Sequence, residues 1–129
     1  MSITRFIEIW KKDQRENTCS NGRWVSWKNL GFDMWISMYL NDCVDQSVLR
    51  QIPSDGACVK EVPKEVFMDM AERLLSRRYD LGLNEDEQSD LELLDEVRPW
   101  YIESFAECLK QLVLETGEDE MMVYINYLD

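Results

Sequence analysis

Apolar residues recur along most of this chain at the three- and four-residue steps of an α-helix, and that period predicts a helical architecture. In the opening stretch Ile3, Phe6, Ile7 and Trp10 share one helical face with Ser2 as its cap, while a strand through Phe6 to Trp10 is the lesser fit. The polar stretch from Glu16 to Arg23, with Asn17, Ser20, Asn21 and Gly22, has the chemistry of a loop. After Ser26, the residues Trp27, Leu30, Phe32, Met34, Trp35, Ile36, Met38 and Tyr39 cover more than half of a helical circumference. Only Asn29, Asp33 and Ser37 form a polar stripe. A helix this apolar needs neighbours on several sides, so it is expected at the centre.

A shorter helical continuation from Val44 to Ile52 is expected to end in a turn at Pro53, Ser54, Asp55 and Gly56. Pro63 suits the first turn of the next helix, in which Val66, Phe67, Met70, Ala71, Leu74 and Leu75 lie opposite Asp69, Glu72, Arg73 and Ser76. Gly82 closes the connection that follows. Asn84 with Glu87 three residues later matches a capping box, and Glu85, Asp86 and Glu87 face the positive end of the helix dipole. Leu91, Leu94 and Val97 are expected to hold that helix to the core, and Pro99 restarts or kinks it. In the long helix beyond, Ile102, Phe105, Ala106, Leu109, Leu112 and Val113 form the core stripe, Trp100, Glu103, Glu107 and Leu114 the far side, and Gly117 the stop. Met121, Met122, Ile125 and Leu128 fit a short closing helix, or a strand from Met122 to Leu128. The expected fold is therefore all-α: a single helical domain over residues 1–129, with five or six helices around the Trp-rich central one.

Composition agrees with one folded core. The chain has 129 residues, 45% of them hydrophobic, with five Trp, five Tyr and four Phe, enough large side chains to oppose disorder despite 31% charged content. Cys19, Cys43, Cys58 and Cys108 form no C-x-x-C pair and no small-disulfide spacing, so free, buried thiols are expected. Arg5 and Glu8 interrupt what would have to be the apolar part of a signal sequence, and no apolar run is long enough to span a bilayer. A reducing cytoplasm is the expected compartment.

Charge changes the picture most. Residues 1–65 carry nine acids and nine bases, whereas residues 66–129 carry seventeen acids and five bases, so the entire net charge of −12 belongs to the second half. Such a lobe suits a basic partner. It also repels nucleic acid, and the interleaved Arg23, Trp24, Trp27 and Lys28 are too few to recruit a duplex; packing of both indoles in the core is expected instead.

Catalytic and metal chemistry find little support. The absence of histidine removes His-dependent nucleophilic triads and most zinc sites. A calcium loop starting at Asp80 would need Gly at its sixth position and Glu at its twelfth, where Glu85 and Leu91 stand. Carboxylate pairs such as Glu103 with Glu107 or Glu92 with Asp95 are what any solvated acidic helix face produces. The five glycines are scattered and build no phosphate cradle. No enzyme, cofactor or metal is expected.

Small size, acidity, helical pattern and the lack of a catalytic motif make the chain resemble, in type and over its whole length, the bacterial immunity proteins of contact-dependent growth inhibition systems and nuclease colicins. Acids beside paired aromatics, as in Asp95, Glu96, Trp100 and Tyr101, are similar to the means by which helical colicin immunity proteins engage basic nucleases. The resemblance implies a partner-binding surface made of Glu85, Asp86, Glu87, Asp90, Asp95, Glu96, Trp100, Tyr101, Glu103 and Glu107, a basic nuclease toxin as partner, and no direct contact with nucleic acid or membrane. A DNA-mimicking inhibitor of a restriction or CRISPR enzyme, an acidic secretion chaperone, and a merely solubilising surface are the alternatives.

Overall fold

The computed structural model describes residues 3–12, 23–27, 29–54, 56–78 and 84–128; Ser2, the polar stretch up to Gly22 with Cys19, Lys28, Asp55, Asp80 and Gly82 lie outside them. The chain is not an all-α bundle. Three helices cover one face of a five-stranded antiparallel sheet of order β2-β1-β5-β4-β3, and a fourth packs on two of them. In chain order these are β1 (Ile3–Lys11), β2 (Trp24–Ser26), α1 (Leu30–Met38), β3 (Arg50–Ile52), β4 (Ala57–Val62), α2 (Lys64–Leu75), α3 (Glu85–Val97), α4 (Pro99–Glu115) and β5 (Glu120–Leu128).

The first and last described segments are strands because their apolar residues occupy both parities of a two-residue period. The helical reading of the first segment left Ile9 unaccounted for. As a strand, β1 turns Ile7 and Ile9 toward the helices and Trp10 toward the opposite face, burying all three. Strand β5 does the same with Met122 and Tyr124 on one side and Met121, Val123 and Ile125 on the other. Five consecutive buried positions cannot share one helical face, and Val, Ile and Tyr favour the extended chain. Strand β5 pairs with β1 from Ile3↔Leu128 to Lys11↔Glu120 and with β4 from Ala57↔Tyr127 to Val62↔Met122.

The stretch from Val44 to Ile52 also departs from helix. After α1, Tyr39–Cys43 forms a π-helical turn, and the Gln46 side-chain amide donates to the carbonyls of Leu40 (2.8 Å), Asn41 (3.1 Å) and Val44 (3.0 Å), closing the helix end. A single 3₁₀ turn at Gln46–Val48 then leads into β3, whose Ile52 pairs with Val59 of β4. The expected turn joins these two strands, and Gly56 takes the left-handed backbone (φ 71°) that this tight reversal requires.

Against the helical face, Phe32, Trp35 and Ile36 of α1, Phe67, Met70, Ala71 and Leu74 of α2, Leu91 of α3 and the whole expected stripe of α4 form the main core. Helix α1 begins at Leu30 rather than Trp27, because the Asn29 side chain accepts from the Phe32 N–H at 2.9 Å and caps it there. Trp27 is buried as expected, with its indole N–H donating to Asp33 Oδ1 at 2.6 Å, and Arg5 pairs with the other oxygen of that carboxylate. Trp24 is 53% exposed, contrary to expectation. Tyr39 stacks on Trp35 and donates its hydroxyl to Asp69 Oδ2 at 2.5 Å, and burial holds that phenol protonated well above its ordinary range. Helix α4 ends at Glu115 through buried Thr116, whose hydroxyl donates to the Leu112 carbonyl at 2.8 Å, so Gly117 is not needed as a left-handed stop.

On the opposite face, Trp10, Ile52, Val59, Met121, Val123 and Ile125 form a second, smaller cluster, flanked by Phe6 and Ala57. Glu8 borders it, accepting from the Trp10 indole at 2.8 Å, and burial raises its carboxyl above the ordinary 4.5. A carboxyl whose folded value lies above its unfolded one costs stability as pH rises through that interval. Glu8→Gln keeps the indole's acceptor without the charge. It is expected to unfold at higher temperature than the wild type at pH 7, with the difference vanishing below pH 4 in a pH series of melting curves.

Candidate protein-binding surface

Helix α3 concentrates the acidity of the molecule. Its sequence holds Glu85, Asp86, Glu87, Asp90, Glu92, Asp95 and Glu96 and no base. The expected capping box forms: the Asn84 side chain accepts from the Glu87 N–H at 2.8 Å, and Glu87 Oε1 accepts from the Asn84 N–H at 3.5 Å. At 100° per residue, Leu91 defines the buried side, and Glu85, Glu92 and Glu96 form a row on the solvent side. Leu93 and Val97 fall one turn apart on the flank between that row and helix α1.

The ten residues expected to bind a partner divide into two groups. Glu87 is spent on its own cap. Asp90 Oδ2 accepts from the Gly31 N–H at 2.8 Å, so it caps α1 from across the helix interface. Asp95 and Glu103 converge on Arg77, which bonds both Asp95 oxygens (3.0 and 3.2 Å) and Glu103 Oε1 (2.6 Å) while its Nη1 reaches the Leu75 carbonyl at 3.3 Å. Arg77 holds a left-handed backbone (φ 57°) just past α2, the conformation that ends this helix and aims the guanidinium at the α3–α4 seam. Tyr101 points inward, edge-on to Phe32 with ring centres 5.8 Å apart. The remaining five, Glu85, Asp86, Glu96, Trp100 and Glu107, are exposed, and the four acids among them have no paired cation within the described residues.

Trp100 is 59% exposed at the start of α4, as the spacing predicts, and Leu114 is exposed at its far end. Two neighbours were not legible. Val97, expected in the core, is 63% exposed, and Leu93 is 57% exposed. The signal was present for Leu93, which lies about 160° around the helix from Leu91 and cannot share its buried face. Leu93, Val97 and Trp100 thus place three large apolar side chains around the corner where α3 gives way to α4, beside Glu96, while Glu85 and Asp86 lie at the opposite end of α3.

Helix α3 is held where Gly31 lets it approach. A Cβ at Gly31 would lie 2.8 Å from Asp90 Oδ2, 2.9 Å from the Glu87 carbonyl oxygen and 2.9 Å from the Leu91 nitrogen, two of them backbone atoms that cannot rotate away. Between Asn29 at the start of α1 and Asp90, Leu93, Leu94, Val97 and Arg98 lies an open groove of about 240 Å³.

The thiols of Cys43, Cys58 and Cys108 are free and exposed, rather than buried as expected. Among the described residues no three His, Cys, Asp or Glu side chains are grouped to hold a metal ion, and no helix is long and apolar enough to cross a membrane. No protein-family model, curated protein or solved structure matches this chain.

Gly31→Ala is expected to destabilise the protein by about 1–3 kcal/mol, the usual penalty for forcing atoms into a filled contact. The midpoint of urea unfolding measures it, and an unchanged midpoint would show that α3 is free to move outward.

Proposed function

We propose that this chain is a non-enzymatic inhibitor of the immunity type, which acts in the cytoplasm by binding a basic, nuclease-type toxin through the exposed face of α3 and the start of α4. The observation that carries this reading is the pairing of Leu93, Val97 and Trp100, all more than half exposed, with a helix of seven acids and no base. Apolar anchors supply the energy of an interface, and surrounding charge sets how fast and how selectively it forms. The acids that serve this role are Glu85, Asp86 and Glu96, with Glu107 farther along α4. Asp90, Asp95 and Glu103 act one step removed, by fixing α3 and α4 in place. Free thiols at Cys43, Cys58 and Cys108 suit a reducing compartment.

An anchor-bearing surface favours a single dedicated protein partner over an inhibitor that mimics DNA, which relies on rows of unengaged carboxylates and gains little from an exposed leucine. The unfolded client of a secretion chaperone is disfavoured by the same measure, because the anchors cluster at one corner rather than along an extended track.

Affinity capture from the source cell is expected to return a basic protein whose toxic activity falls on binding; capture of only acidic or neutral partners would overturn the reading. With that partner, the association rate constant is expected to fall by about tenfold or more between low and high salt, as steered encounters do. A rate indifferent to salt would remove the steering. Trp100→Ala is expected to weaken binding by at least about 2 kcal/mol in calorimetric titration.

A further inference from the structure

The groove beside α3 has a chemistry of its own. It is lined by Leu93, Leu94 and Val97 along one wall, Asn29 and Asp90 at the α1 end, and Arg98 at the α4 end. At about 240 Å³ it falls below the range of about 300–1,000 Å³ that holds a drug-sized ligand, and it suits one or two side chains from a macromolecule. Its polar groups at the α1 end are already engaged, Asp90 with the Gly31 N–H and Asn29 with the Phe32 N–H. What the groove offers a visitor is therefore apolar contact, with Leu93 and Val97 spaced one helical turn apart as a ridge.

The rim selects among visitors by charge. Asp86 lies two turns before Leu93 on the ridge's side of α3, and Glu85, Glu92 and Glu96 run parallel to it, whereas Arg98 is the single base in the lining. A second copy of this chain would bring a net charge of −12 and its own α3 against these acids, so self-association through this face is opposed. An acidic or neutral apolar segment gains no such attraction.

From these features we infer that the groove between α1 and α3 is the seat for a basic, amphipathic segment of a partner protein, which lays apolar side chains between Leu93, Leu94 and Val97 while its lysines or arginines meet Asp86, Glu85 and Glu96. The inference rests on the acidic-surface reading above and names which chemistry that surface takes. Amphipathic segments in apolar grooves are recognised through anchors one turn apart, which is the spacing Leu93 and Val97 present. Arg98 opposes the segment's charge and limits its affinity.

The test uses the whole protein and two synthetic peptides of equal length and charge: one with lysines and leucines at helical spacing, the other with serine replacing every leucine. By calorimetric titration the leucine peptide is expected to bind at least about tenfold more tightly than its serine twin, and that advantage is expected to disappear in the Leu93→Gln, Val97→Gln double variant. Both positions are more than half exposed, so the variant keeps its fold, which its circular dichroism verifies. Arg98→Gln is expected to tighten binding of both peptides. Equal binding of the two peptides, or a leucine advantage that survives the double variant, overturns the groove and leaves the acidic surface standing. If neither peptide binds at low salt, the acidic-surface reading falls with it.

Discussion

The pairing of β5 between β1 and β4 is the constraint on which the rest of this molecule depends. It is apolar on both of its faces, so it must be covered twice: by the helices over Met122 and Tyr124, and by the smaller cluster around Met121, Val123 and Ile125. Because β5 also supplies hydrogen bonds on both edges, it fixes the separation of β1 from β4 and hence the width of the platform on which α1, α2 and α4 sit. Helix α3 rests on α1 and α4 rather than on the sheet, with Leu91 as its one fully buried side chain. Its outward display of acids and apolar residues follows from that second-layer position.

Net charge turns out to be a poor measure of the charge that α3 and α4 leave unengaged. Half of the acids singled out in α3 and α4 do internal work or face inward groups: Glu87 caps its own helix, Asp90 caps a neighbouring one, and Asp95 and Glu103 share Arg77. Glu120, at the start of β5, is paired with Arg23 and accepts from the Gly117 N–H at 3.0 Å, which holds its carboxyl below the ordinary range. The surface potential of the α3 face is set by the smaller group left over. Among them Glu96 adjoins Val97 in sequence, so charge and apolar contact are offered together at that end of α3.

Much of the helical half could be read from the chain. The stripe from Ile102 to Val113, the capping box at Asn84 and Glu87, the turn ending at Gly56 and the exposure of Trp100 all follow from local spacing and turn chemistry, and the structure has each of them. The sheet was legible only as the lesser alternative, a strand through Phe6 to Trp10 and another from Met122 to Leu128, both of which the structure has. In β1 and β5, apolar residues on both faces abolish the polar alternation that identifies a half-buried strand, and chance agreement at Ile3, Phe6, Ile7 and Trp10 imitates a helix. In β3 and β4, strands of three and six residues, Arg50, Gln51, Lys60 and Glu61 interrupt the few apolar positions, and the pairing with neighbouring strands sets their form. At the candidate surface, carboxylates were legible as residue types, but which of them would be claimed by Arg77 or by an unprotected helix end depends on neighbours eighteen or more residues away.

The sheet order has a further meaning for biogenesis. Residues 3–11 find their main partner only in residues 120–128, so the contacts of greatest sequence separation are also the ones that close the sheet. During synthesis, the hairpin of β3 and β4 and the helices can form early, but β1 must wait with one edge unmatched until more than a hundred further residues have been made. The nascent chain therefore has no finished platform beneath α1, α2 and α4 until β5 closes the sheet.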